Sequence, residues 1–115
     1  MNRLRTILLL ADRRQSHTAK ALTAAGYRLI MSFTPDHAVA FCVNNNVDTV
    51  VLDQGHFVVR EDWSVAQSLK MIKARIYVVL VARGKIIAKK LPQGVDAMVP
   101  QGDTESLLTT LKQFM

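Results

Sequence analysis

Val47-Asp48-Thr49-Val50-Val51-Leu52-Asp53 is the stretch whose reading decides the fold. Val50, Val51 and Leu52 leave no polar face, which suits a strand covered on both sides, as in a parallel sheet flanked by helices. The run closes on a carboxylate, Asp53, followed at once by Gln54-Gly55. Open α/β sheets bind ligands beyond the carboxyl ends of their strands, so Asp53 is a candidate site residue. Position alone allows a second reading, an aspartate that caps the turn ending its strand.

Upstream, Thr6 to Leu10 is a buried strand ending at Ala11-Asp12, and Arg13-Arg14-Gln15 is a loop. Ser16 is a fair N-cap for a helix bearing Ala19, Leu22 and Ala25, with Gly26 in the left-handed position after it. Arg28 to Phe33 reads as a second strand. Thr34-Pro35-Asp36 is a strong helix start, with Thr as cap and Pro in the first turn. Val39, Ala40 and Val43 supply the buried stripe of that helix, and Asn44-Asn45-Asn46 ends it.

Downstream, Gln54 to Arg60 is a loop containing the apolar group Phe57-Val58-Val59, which with Trp63 forms a candidate lid or interface. Glu61-Asp62 opens a helix at its positive end, and Val65, Ala66, Leu69 and Ile72 form its buried face. Ile76 to Val81 is the fourth strand. Ala82-Arg83-Gly84 turns into a short basic helical segment, Lys85 to Lys90, and Pro92-Gln93-Gly94 breaks the chain. Val95 to Val99 is a fifth strand and Pro100-Gln101-Gly102 a loop. Asp103 or Thr104 then caps a last helix with the stripe Leu107, Leu108, Leu111 and Phe114.

Five strands alternating with five helices imply right-handed βαβ crossovers. The expected fold is α/β, a single domain over residues 1–115 with a doubly wound five-stranded parallel sheet. It is flavodoxin-like, (βα)5, with strand order 2-1-3-4-5. The first and third strands are then neighbours at the topological switch point, and both end in a carboxylate, Asp12 and Asp53.

Composition narrows the function classes. The chain has 115 residues, a net charge of +6 and one cysteine, Cys42. Cys42 falls inside a helix stripe and reads as a small core residue. The apolar run Ile7 to Leu10 is too short for a signal segment or a membrane span, so a soluble, unprocessed cytoplasmic protein is expected. The positive charge has no interleaved aromatic residues to make a stacking surface, which argues against nucleic acid. His17 and His37 lie in first turns of helices and His56 follows Asp53 in the loop; no nucleophile–histidine–acid arrangement follows from their spacing. Gly55, Gly84 and Gly94 are isolated, so neither a phosphate loop nor a dinucleotide fingerprint is present.

The order of elements and the two strand-end aspartates resemble the receiver domain of two-component response regulators. The matching runs are Ile7-Leu8-Leu9-Leu10-Ala11-Asp12, Ala24-Ala25-Gly26-Tyr27, the opening stretch, and Tyr77-Val78-Val79-Leu80-Val81. The resemblance covers essentially the whole chain. It implies a non-enzymatic signalling domain whose Asp53 accepts a phosphoryl group from a histidine kinase. It further implies Mg²⁺ held by an acidic pair after the first strand and by the backbone carbonyl of Gly55. A hydroxyl residue would end the fourth strand, and a lysine would follow the fifth.

This sequence departs from that set. Asp12 alone remains of the acidic pair, between Ala11 and Arg13. Val81 stands at the hydroxyl position and Gln101 nearest the lysine position. Mg²⁺ would have Asp12, Asp53, one carbonyl and water, a thin set for a hard ion. Arg13, or Arg83, is the cation able to fork onto the carboxylates and hold the site in one state. The expectation is an atypical, degenerate receiver that signals through protein contacts with a histidine kinase or another signalling protein. Arg83, Lys85, Lys89 and Lys90 are its candidate partner surface, and the resemblance implies a homodimer through the fourth helix, fifth strand and fifth helix. The alternatives are a phosphorylation-competent receiver, or a small flavodoxin-like module that binds a ligand or nucleic acid. No output domain is expected within the chain.

Overall fold

A computed structural model describes residues 6–11, 17–45, 47–53, 59–73, 75–82, 94–100 and 102–114. Five strands, β1 (Thr6–Leu10), β2 (Arg28–Ser32), β3 (Thr49–Asp53), β4 (Tyr77–Ala82) and β5 (Ala97–Pro100), form one sheet. Its order is β2-β1-β3-β4-β5 and each pairing is parallel. The described helices are α1 (His17–Ala24), α2 (Pro35–Asn44), α3 (Val59–Ile72) and α4 (Thr104–Phe114). The helical segment expected from Lys85 to Lys90 lies outside the described residues. The topology matches the expectation of a doubly wound sheet in 2-1-3-4-5 order.

The core splits cleanly along strand alternation, because successive side chains of a strand point to opposite faces. Leu8, Leu10, Val50, Leu52, Val78 and Leu80 face one way, against Ala38 and Cys42 of α2 and Val65, Ala66 and Leu69 of α3. Ile7, Leu9, Val51, Val79 and Val81 face the other, against Ala19 and Leu22 of α1 and Leu107 and Leu111 of α4. β3 is the middle of this arrangement, and all five of its residues are buried. Burial of Val50, Val51 and Leu52 is worth about 1.5–3 kcal/mol each.

Helix ends follow their chemistry. Thr34 caps α2, its hydroxyl accepting the His37 N–H at 3.2 Å, with Pro35 in the first turn. Asp103 caps α4 by accepting the Ser106 N–H at 3.1 Å and its hydroxyl at 2.8 Å. Those two bonds hold the Asp103 carboxyl below its ordinary value. Gly26 takes the left-handed conformation after α1, with φ of 94°.

Helix faces depart from expectation in three places. In α2 the buried positions are Ala38 and Cys42, while Val39 and Phe41 are half-buried, Ala40 is exposed and Val43 is 60% exposed. Ala38 through Val43 are all apolar, so periodicity sets no unique phase. The small Ala38 and Cys42 are the residues turned to the sheet. In α1, Thr18 joins Ala19 and Leu22 in place of Ala25, which is exposed in the turn beyond the helix. Ile72, in the last turn of α3, is 37% exposed. Boundaries shift by one or two residues: α3 begins at Val59, β2 stops before Phe33, and β5 runs through Pro100. The Phe114 side chain lies outside the described residues.

The amino edge of the sheet is clasped by Asp96. Its N–H donates to the Val78 carbonyl at 2.8 Å, and its Oδ2 accepts the Val78 N–H at 2.8 Å and Lys70 Nζ at 2.6 Å. Lys70 also donates to the Ile76 carbonyl, tying α3 to the start of β4. Gly94 leads into this clasp at φ of 90°, and a Cβ there would lie 2.8 Å from the Ala66 carbonyl carbon. Gly94→Ala is therefore expected to lower stability by about 1–3 kcal/mol through strain and clash, read as a lower urea midpoint with an unchanged slope.

Tyr77, at the same edge, has its hydroxyl pushed up to about 12, first by burial and second by the Asp96 carboxylate. The folded protein thus holds this proton more tightly than the unfolded chain, where tyrosine titrates near about 10. The resulting stabilisation is complete below pH about 10 and is lost as pH rises toward about 12. Tyr77→Phe should flatten that alkaline decline in a series of denaturant midpoints.

Candidate functional site at the carboxyl edge of the sheet

Strand order brings the carboxyl ends of β1, β3 and β4 side by side. Leu10 pairs with Leu52, and Asp53 pairs directly with Val81. Asp53 is the last residue of β3 and is 1% exposed. A carboxylate buried to that degree is shielded from bulk water by the surrounding chain. The turn that the capping reading of Asp53 concerns, residues 54–58, lies outside the described residues.

Among the other residues singled out by sequence, Val81 is 2% exposed and belongs to the apolar cluster with Val51, Val79 and Val99. The last three residues of β4, Leu80, Val81 and Ala82, carry no hydroxyl. Asp12, Arg13, Gly55, His56, Arg83, Lys85, Lys89, Lys90 and Gln101 lie outside the described residues, as do Phe57 and Val58. Ala11, next to Asp12 in sequence, donates its N–H to the Ser32 carbonyl at 3.0 Å, so β1 stays paired with β2 up to that point. Asp53 is the acidic residue that the described part of β3 contributes, and no group of three or more metal-ligating side chains occurs among the described residues. The described residues do not by themselves assemble a Mg²⁺ site.

The hydroxyl that sequence reasoning passed over is Ser32, fully buried at the end of β2. Its Oγ lies 2.9 Å from His37 Nδ1 and 3.2 Å from the Thr34 carbonyl. Both contacts are satisfied when the hydroxyl donates to the carbonyl and Nδ1–H donates to the hydroxyl. A serine closing an apolar run just ahead of a Thr-Pro cap was the available signal. Because β1 lies between β2 and β3, this hydroxyl belongs to the α2 start rather than to Asp53. Cys42 is buried, and burial pushes its thiol above the ordinary value with Lys73 opposing, consistent with a core residue rather than a nucleophile.

Among the described residues, two spaces flank the sheet. Beside Val81, between the first turns of α1 and α4, a cavity of about 10 Å³ is lined by Thr18, Val99, Asp103 and Leu107 among others. That is room for one water, not for an organic substrate. A wider hollow of about 510 Å³, lined by Gln67, Lys70, Met71, Gly94, Val95 and Asp96, opens at the amino edge, away from Asp53.

No protein-family model matches this sequence, and no curated protein does either. Solved structures do match. The chemotaxis response regulator CheY4 of Vibrio cholerae superposes with a TM-score of 0.81 at 16% identity, covering 98% of this chain and 100% of that one. A CheY-like receiver domain from Methanospirillum hungatei gives 0.79 at 17% identity, over 96% and 93%. The signal receiver domain of an HD domain-containing protein from Pseudomonas fluorescens gives 0.80 at 19% identity, over 99% and 88%. The chain has the fold of CheY-like receiver domains. No described helix is long and apolar enough to cross a membrane.

The apolar setting of Val81 is testable. Val81→Thr places a hydroxyl among Val51, Val79 and Val99, and should cost about 1–3 kcal/mol unless that hydroxyl finds a partner. A two-state denaturation curve reads the loss.

Proposed function

We propose, with the receiver fold as premise, that this chain is an atypical response-regulator receiver domain that works in phosphorelay signalling through protein contacts. Asp53 stands at the phospho-acceptor position and the switch around it is depleted. The single observation that carries this reading is the Asp53–Val81 pairing, which puts a buried carboxylate directly across from an apolar side chain.

Phosphoryl transfer is catalysed by positioning and by charge stabilisation: a metal and a cation neutralise the transferred oxygens. A hydroxyl next to the acceptor converts the arrival of phosphate into a movement of its strand. In this chain the end of β4 can offer only methyl groups, which gain nothing from a nearby phosphoryl oxygen. Gln101 in the lysine position would supply a dipole and no charge. Arg13 or Arg83 is the sequence's candidate replacement cation, a guanidinium whose fork matches a carboxylate and could take the place of a metal. Bound Mg²⁺ would supply charge neutralisation, with Asp12, Asp53 and the Gly55 carbonyl as its ligands. The result is a domain whose surface is presented in one conformation to a histidine kinase or another signalling protein.

Acetyl phosphate or beryllofluoride with Mg²⁺, followed by intact mass and NMR shifts, tests this. The expected outcome is no prompt modification, together with a melting temperature that Mg²⁺ leaves unchanged, since a ligand of the folded state alone would raise it. Prompt stoichiometric modification that Asp53→Asn abolishes would overturn the depleted-switch reading.

A further inference from the structure

We propose that the outer edge of β2, which no described strand covers, is a docking site for an extended acidic segment of a partner protein, which adds to the sheet as a sixth strand. This rests on the reading of the chain as a protein-contact module and names a surface and a partner chemistry for it.

β2 is the outermost strand beside β1. The Ser32 carbonyl accepts from Ala11 and so faces β1. Backbone groups alternate in direction along a strand, so Arg28 and Ile30 face β1 as well, while the N–H and C=O groups of Leu29 and Met31 face outward. Such a row of donors and acceptors is a template for another strand. Natural edges are blunted by proline, bulges, charged side chains or short length. β2 has no proline and no bulge, and its one charged residue, Arg28, stands at its head: its register with β1 runs unbroken from Thr6–Arg28 to Leu10–Ser32, and its residues are Arg28-Leu29-Ile30-Met31-Ser32. Leu29, Ile30 and Met31 are each half-buried, leaving apolar surface on both sides of the edge, and Phe33 just beyond is 39% exposed.

The opposite edge is protected. β5 has four residues, is preceded by the partly exposed Asp96 and ends on Pro100.

Charge selects the occupant. Arg28 is exposed at the head of β2, and α1, which packs on β2, carries the exposed Lys20. Asp36 stands at the other end, in the first turn of α2. A strand with its carboxylates toward Arg28 is complementary to this gradient. A second copy of the chain would bring two bodies of charge +6 edge to edge.

The full chain, immobilised, is used to select from a random-peptide phage library, and the recovered peptides are titrated into ¹⁵N-labelled protein. The expected peptides are acidic and rich in β-branched residues, and they shift and protect the Leu29 and Met31 amides from exchange. Met31→Pro removes an outward donor without touching the β1 ladder and should abolish binding. Arg28→Glu should weaken binding by about tenfold with the sheet intact by circular dichroism, and keeps the test decisive if Met31→Pro does not fold. Recovery of no peptide, recovery of basic peptides, shifts confined to other amides, or binding indifferent to Arg28→Glu would overturn the proposal. So would concentration-dependent protection of those amides without peptide, which would identify a second copy as the occupant. Because the readout is at β2 and not at Asp53, its failure is distinguishable from failure of the phosphoryl-acceptor reading.

Discussion

The structure depends on β3 being buried along its whole length and ending in a carboxylate that is buried with it. Burying Val50, Val51 and Leu52 returns several kcal/mol, at about 1.5–3 each. Withdrawing one carboxylate from water costs several kcal/mol unless it is engaged. The strand therefore carries Asp53 into the edge of the core because its neighbours in sequence drive the burial. A half-exposed strand of the same length would have left that side chain in solvent.

The two edges of the sheet are built for different purposes. At the amino edge, Asp96 answers both polar groups of Val78 and pairs with Lys70, while Gly94 lets the chain pass within van der Waals reach of the α3 backbone. Every polar group in that clasp serves the fold. Among the described residues, the buried polar side chains at the carboxyl ends of the strands are Ser32 and Asp53, on strands separated by β1, with Thr18 of α1 buried nearby. Ser32 is committed to the start of α2, so the chemistry of the edge falls to Asp53 and to what surrounds it. Among the described residues, Asp53 pairs across to the apolar Val81, and the proposed reading as a contact module starts from that pairing.

How much of this was legible in the chain varies with the kind of signal. Strands came through to within two residues because a fully buried β-branched run has one plausible state. Capping residues came through because Thr34 and Asp103 act on the N–H groups nearest them in sequence. The face of α2 did not, because six apolar residues in succession fit any phase, and Ala38 and Cys42 were chosen by the sheet and α3 together. Asp53 was legible as the end of a strand, but its burial was not, since exposure at a strand end depends on which strands lie to either side.

Taken alone, the sequence determined the five strands and the four described helices that alternate with them, the caps at Thr34 and Asp103, the acidic residue at the end of the third strand and the absence of a hydroxyl from the last residues of the fourth. These are local properties, set by side-chain type within a few residues. Only the tertiary structure decided that Asp53 faces Val81, that Ser32 is kept from it by β1, and that β2 is left as an open edge. Those facts are relations between residues distant in the chain, and they exist only once pairing fixes which strands are neighbours and which two stand at the edges.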